Sequence, residues 1–106
     1  MDGLCVRFYV REGMRFQGQG IADWLFARAR QAGIQGGTLF RAAAGFGRHG
    51  LHEDHFFELA GTLPAAVEFF APTSAVEALM QQVDQAGLEL PYISWPVKLG
   101  VTGQAR

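Results

Sequence analysis

The stretch from Ile21 to Ala44, IADWLFARARQAGIQGGTLFRAAA, contains a change of period that decides the fold. In its first half Ile21, Trp24, Leu25, Ala29 and Ala32 recur at three- and four-residue intervals and draw one apolar stripe along a helix. Gly33 stops that helix, and Ile34 is placed to make the apolar contact of a glycine C-cap. From Thr38 the period falls to two. Thr38, Phe40, Ala42 and Ala44 share one side of a strand, with Leu39, Arg41 and Ala43 on the other.

On the N-terminal side, residues from Leu4 to Arg11 alternate strictly: Leu4, Val6, Phe8 and Val10 point one way, Cys5, Arg7, Tyr9 and Arg11 the other. This is a first strand, joined to the helix by a polar, glycine-bearing link from Glu12 to Gly20. On the C-terminal side comes a loop rich in glycine and histidine, Gly45 to His55, after which Phe56 to Leu59 extends a hairpin arm. Leu63 to Ala71 reads as a third strand, apolar on both faces and therefore central. Ser74 and Glu77 have the spacing of a capping box at the start of a second helix. Val76, Leu79, Met80 and Val83 supply its buried stripe, and Gly87 with Leu88 repeats the first helix's ending. Ile93, Trp95, Val97, Leu99 and Val101 alternate as a fourth strand, which Pro96 confines to a sheet edge or a bulge.

The order strand, helix, strand, strand, helix, strand predicts an α+β fold, the ferredoxin-like βαββαβ arrangement. A four-stranded antiparallel sheet carries both helices on one face. With 106 residues the chain is expected to form one domain over residues 1–106. Cys5, Tyr9, Leu39, Ala66 and Phe70, beside Arg7 and Arg41, are the residues expected on the uncovered face, which is too apolar to stay in water. Self-association with cyclic symmetry is the expected remedy.

Composition removes several function classes. The formal net charge of -1 offers no positive field for a nucleic acid. The lone Cys5 cannot form an internal disulfide, in keeping with a reducing compartment. Met1-Asp2-Gly3 has no basic start and apolar stretch of a signal peptide, and no apolar run approaches the ~20 residues of a membrane-spanning helix, so a soluble cytoplasmic protein without membrane insertion is expected. No serine or cysteine sits in a nucleophile motif and no acid pair is placed by one, so the chain is not expected to be an enzyme.

Gly33-Ile34-Gln35-Gly36-Gly37-Thr38-Leu39, followed by Gly45-Phe46-Gly47-Arg48, resembles the PII signalling proteins in both letters and spacing. The whole chain, from about Leu4 to Val101, resembles a PII-like family known as domain of unknown function 190. There the glycine-phenylalanine-glycine is followed by a histidine-bearing loop, a phenylalanine pair like Phe56-Phe57 and a leucine-proline like Leu63-Pro64. The resemblance implies a homotrimer with ligand clefts between neighbours, and a loop that reports occupancy to a partner protein such as a membrane transporter or channel. It implies an adenine nucleotide (AMP, ADP or ATP) at or near Thr38, Gly45, Gly47 and Arg48, with Phe46 as a wall. Glycines let backbone N–H groups approach a phosphate, and an arginine fork meets its oxygens. Gln85 to Tyr92 lacks the glycine- and lysine-rich loop with which PII grips polyphosphate, and Leu99 to Val101 stands where PII has paired arginines. A monophosphate such as AMP, another adenylate or an unrelated anion needs fewer positive contacts than ATP.

Two other readings stand beside this one. His49, His52 and His55, with Glu53 and Asp54 among them, hold donors for a zinc or copper site, although three histidines on one loop do not fix a tetrahedron. A chain of this shape also serves as an assembly module with no small ligand. Trp24, Phe26, Phe69 and Phe70 are assigned to core or subunit contacts rather than to base stacking.

Overall fold

The computed structural model describes residues 1–46 and 64–104. Strand β1 (Asp2–Arg11) leads through a small hairpin, β2 (Arg15–Phe16) and β3 (Gln19–Gly20), into helix α1 (Ile21–Gln31). Strand β4 (Thr38–Arg41), strand β5 (Pro64–Pro72), helix α2 (Thr73–Gln85) and strand β6 (Tyr92–Lys98) follow. The main sheet runs β4-β5-β1-β6 with every neighbouring pair antiparallel. This is the expected ferredoxin-like βαββαβ arrangement. β5 is central, as its two-sided apolarity requires, and β6, which contains Pro96, is an edge.

The link between β1 and α1 is more ordered than its polar composition suggests. Gln17 and Gly18 both take positive φ, 52° and 80°, which closes a two-residue turn whose twist matches the short strands on either side. Strands of two residues leave no alternation to read.

The core lies between the helices and one side of the sheet. Val6, Phe8 and Val10 of β1 and Ala65, Val67, Phe69 and Ala71 of β5 bury against Ile21, Trp24, Leu25 and Ala29 of α1 and Val76, Leu79 and Val83 of α2. Phe8 meets Phe69 edge-on at 6.4 Å. Helix α1 ends as its sequence predicts: Gly33 has φ 88°, its N–H donates to the Arg30 carbonyl at 3.1 Å, and that of buried Ile34 donates to Ala29 at 2.9 Å. Helix α2 starts differently. Its N-cap is Pro72, with ψ 145° and no side-chain cap hydrogen bond, so Ser74 and Glu77 do not form the expected capping box. β5 passes straight into α2, which places Ser74 inside the first turn.

Ladder partners share a face of a sheet, and the register corrects the expected face assignments. Thr38 stands opposite Glu68 and Phe40 opposite Ala66, which puts both on the uncovered side. Leu39, expected there, instead packs against the core, and Arg41 shares its side of β4. On β6, Ile93, Trp95 and Val97 stand opposite Arg7, Cys5 and Gly3 and so join the uncovered side as well. Strand alternation groups residues by face without saying which face meets the helices.

Candidate functional site

The uncovered face has an ion pair near its middle. Arg7 donates from Nε and Nη2 to Oε1 of its ladder partner Glu68, at 3.0 and 2.7 Å. Its guanidinium carbon stands 5.9 Å from the centroid of Phe40 and 5.5 Å from that of Trp95, so aromatic side chains reach it from both outer strands. The hydrogen bond to Glu68 is the first cause holding Arg7 above its ordinary pKa. Around the pair the face is apolar and open: Phe70 is 61% exposed, Phe40 48%, Ile93 46% and Tyr9 43%. Cys5 lies on the same face but is buried between its ladder partners Phe70 and Trp95, and burial, followed by the charge of Glu68, pushes its thiol up. An apolar face whose central charges are already paired can be covered by protein without stranding an ion.

The residues singled out by the glycine motifs sit at the rim of this face. Thr38 is exposed at the start of β4, opposite Glu68. Gly45 and Phe46 lie past the other end of the strand, after the Ala42 N–H donates to the Pro64 carbonyl at 2.9 Å. Gly45 packs on the returning chain, since a Cβ there would lie 3.2 Å from Pro64 Cγ, and Phe46 is 83% exposed. Gly45 and Phe46 are thus together at the loop's root, while Thr38 stands at the opposite end of the edge strand. Gly47, Arg48, the histidines His49, His52 and His55, and the Phe56 to Leu59 arm lie outside the described residues. Among the described residues no three His, Cys, Asp or Glu side chains gather as metal ligands, and no helix is long and apolar enough to cross a membrane.

Behind Thr38, a hollow of about 130 Å³ between α1 and β5 is lined by Phe26, Arg30, Gln35, Gly36, Gly37 and Phe69. A larger one, about 460 Å³, opens at the C-terminal end of α2, where Phe8, Tyr92 and Leu88 meet Asp84 and Glu89. Sequence reasoning did not single out Glu68, Phe40 or Trp95 as site residues. Their common signal is nearness to Arg7 on one face of the sheet, and that exists only once the registers of β4 with β5 and of β1 with β5 and β6 are known.

The DUF190 family, described as Uncharacterized ACR, matches residues 3–99 of the chain. The UPF0166 protein of Aquifex aeolicus (strain VF5) is 28% identical over 79 residues, covering 74% of this chain and 75% of that protein. A second, UPF0166 protein MJ1524 of Methanocaldococcus jannaschii, is 30% identical over 63 residues, 59% of this chain and 58% of that protein. Among solved structures, CPII from Thiomonas intermedia K12 bound to ADP and bicarbonate superposes with a TM-score of 0.66 at 16% identity, covering 95% of this chain and 91% of that one. CPII bound to ADP, AMP and bicarbonate, described as a nitrogen regulatory PII-like protein, gives 0.65 at 13% identity, with 94% and 97% covered. At such identities the likeness is one of fold.

Proposed function

We propose that this chain, which belongs to the DUF190 family, is a PII-like regulatory subunit: a single domain that forms a homotrimer, binds an adenine nucleotide at clefts between copies, and signals to a partner protein through the loop that follows Phe46. The observation that carries the reading is the uncovered sheet face. A face this apolar, with Arg7 and Glu68 already paired among aromatic rings, is built to be covered, and copies of the same chain are the default cover. Thr38, Gly45 and Phe46 stand at its rim, exposed on the single chain, where a neighbouring copy would complete a cleft around them. The ADP and AMP bound by CPII, whose fold this chain shares, support an adenine nucleotide as the ligand.

Gly47 and Arg48 are assigned to the same nucleotide, the arginine as a fork for its phosphate. With no cationic cluster between Gln85 and Tyr92, AMP or ADP is favoured over a tightly held ATP. The role is one of binding and signalling rather than catalysis. A cytoplasmic setting suits the reduced, buried Cys5, and a transporter or channel is the kind of partner that the family likeness suggests.

The test is a titration calorimetry series with AMP, ADP, ATP and cyclic nucleotides, repeated on Arg48→Ala, alongside the protein's mass in solution. A trimer that binds an adenine nucleotide, and binds it at least about tenfold more weakly without Arg48, is the expected result. A strict monomer, or no binding at millimolar nucleotide, ends the reading.

A further inference from the structure

The hollow of about 460 Å³ at the C-terminal end of α2 lies on the helix side of the sheet beside β6, at the edge opposite β4. Its volume falls within the roughly 300–1,000 Å³ of small-molecule sites. Met80, Leu88 and Leu90 give it apolar walls. Tyr92 closes one side with a ring that is 51% exposed and rests 6.3 Å from that of its buried ladder partner Phe8. Every charged side chain that lines it is acidic: Asp84 in the last turn of α2, and Glu89 just past Gly87, which ends the helix with φ 72°. Among the described residues neither carboxylate is ion-paired. The helix adds to the negative potential, because its last carbonyls are the negative end of the macrodipole. Helix α1 has Arg28 and Arg30 in its last turn to offset that end, whereas the last turn of α2 has no basic residue. Asp84 therefore opposes the dipole of its own helix, in a cavity whose other walls are apolar. Two carboxylates are too few for a bare metal ion: among the described residues no three His, Cys, Asp or Glu side chains gather, and Met80, Leu88 and Leu90 offer no oxygen to replace an ion's water.

We propose that this hollow is a site for a small organic cation, an ammonium or guanidinium on a compact apolar body, held by Asp84 and Glu89 against the ring of Tyr92, with the body on Met80 and Leu88. Charge-assisted hydrogen bonds to the carboxylates and the negative face of the ring both favour a cation, and the apolar walls favour one that carries a hydrocarbon part. The proposal goes beyond the nucleotide reading, since a single chain encloses the hollow and none of the residues assigned to the nucleotide lines it.

The experiment titrates 2-phenylethylammonium, uncharged 2-phenylethanol and anionic phenylacetate into nitrogen-15-labelled full-length protein without nucleotide, following the amide resonances of Gly87, Leu88, Glu89, Leu90 and Tyr92. Saturable shifts are expected from the ammonium and not from the alcohol or the carboxylate, which share its ring and so separate charge from apolar contact. Asp84→Asn combined with Glu89→Gln weakens the ammonium at least about tenfold, and Tyr92→Leu weakens it while Tyr92→Phe retains it. Asp84→Asn is also expected to raise the thermal midpoint or leave it unchanged, because it takes an acid away from a helix C-terminus; weaker binding in a fold at least as stable is the mark of a lost ligand contact. No saturable shift at about 10 mM ammonium, an equal response to the alcohol, undiminished binding by the double variant, or calcium chloride that reproduces the shifts and displaces the ammonium overturns the proposal. Because nucleotide is absent throughout, that failure leaves the nucleotide reading standing.

Discussion

Gly36 and Gly37 stand side by side ahead of β4, but only Gly37 is held by space. A Cβ at Gly37 would come within 2.4 Å of Phe69 and 3.1 Å of Phe26, and Phe69 is fully buried and cannot yield; at Gly36 nothing lies within 4 Å. Gly37→Ala is therefore expected to cost about 1–3 kcal/mol by overpacking, while Gly36→Ala is neutral or adds up to ~1 kcal/mol by restricting the unfolded chain. Urea midpoints of the two variants check this. Cys5 supplies a second residue-scale expectation. Burial raises its folded pKa above the ordinary 9.0, so the folded chain holds the thiol proton where the unfolded chain has begun to lose it. The resulting stabilisation is present below pH 9.0 and is lost as pH climbs through the folded value. The stability advantage of wild type over Cys5→Ala is expected to shrink on alkalinisation, read from paired denaturation curves.

At the scale of elements, the sheet matters more than the helices for what the chain can bind. Its helix side packs against α1 and α2, and its other side presents Phe40, Phe70, Ile93 and Tyr9 around a paired Arg7 and Glu68. Phe70→Asp is expected to lower the mass in solution to that of one chain while leaving the helical circular dichroism and the core unchanged. Phe70 is 61% exposed on the single chain, so its loss falls on a neighbouring copy and, within the chain, on the Cys5 that it covers. Within the same face, Arg7→Ala is expected to weaken assembly more than the joint replacement Arg7→Met with Glu68→Leu, because the single change strands a carboxylate in a covered apolar surface and the double change does not. Sedimentation at a series of concentrations separates the two. If Arg7→Ala assembles as well as the double variant does, the ion pair lies outside the contact.

For the molecule as a whole, assembly and ligand binding are expected to rise and fall together, since among the described residues Thr38, Gly45 and Phe46 are exposed and stand open on one chain. Phe70→Asp is therefore expected to lose AMP binding along with its oligomeric mass, and ATP is expected to gain no affinity over AMP in the wild-type protein. Calorimetry at matched protein concentration reads both. What the sequence determined by itself was the order of the main strands and helices and where the helices stop: the switch from a 3.6-residue to a two-residue period after Gly33, the two glycine stops, and the proline that keeps β6 at an edge. All of these are local, set by backbone geometry within a few residues. It could not say which side of β4 or β6 meets the helices, or that Arg7, Glu68, Phe40 and Trp95 come together. It could not place Arg41 against Glu12 either. Alternation has two equivalent solutions, and only the antiparallel registers of β4 with β5 and of β1 with β5 and β6, decided by packing across the sheet, choose between them.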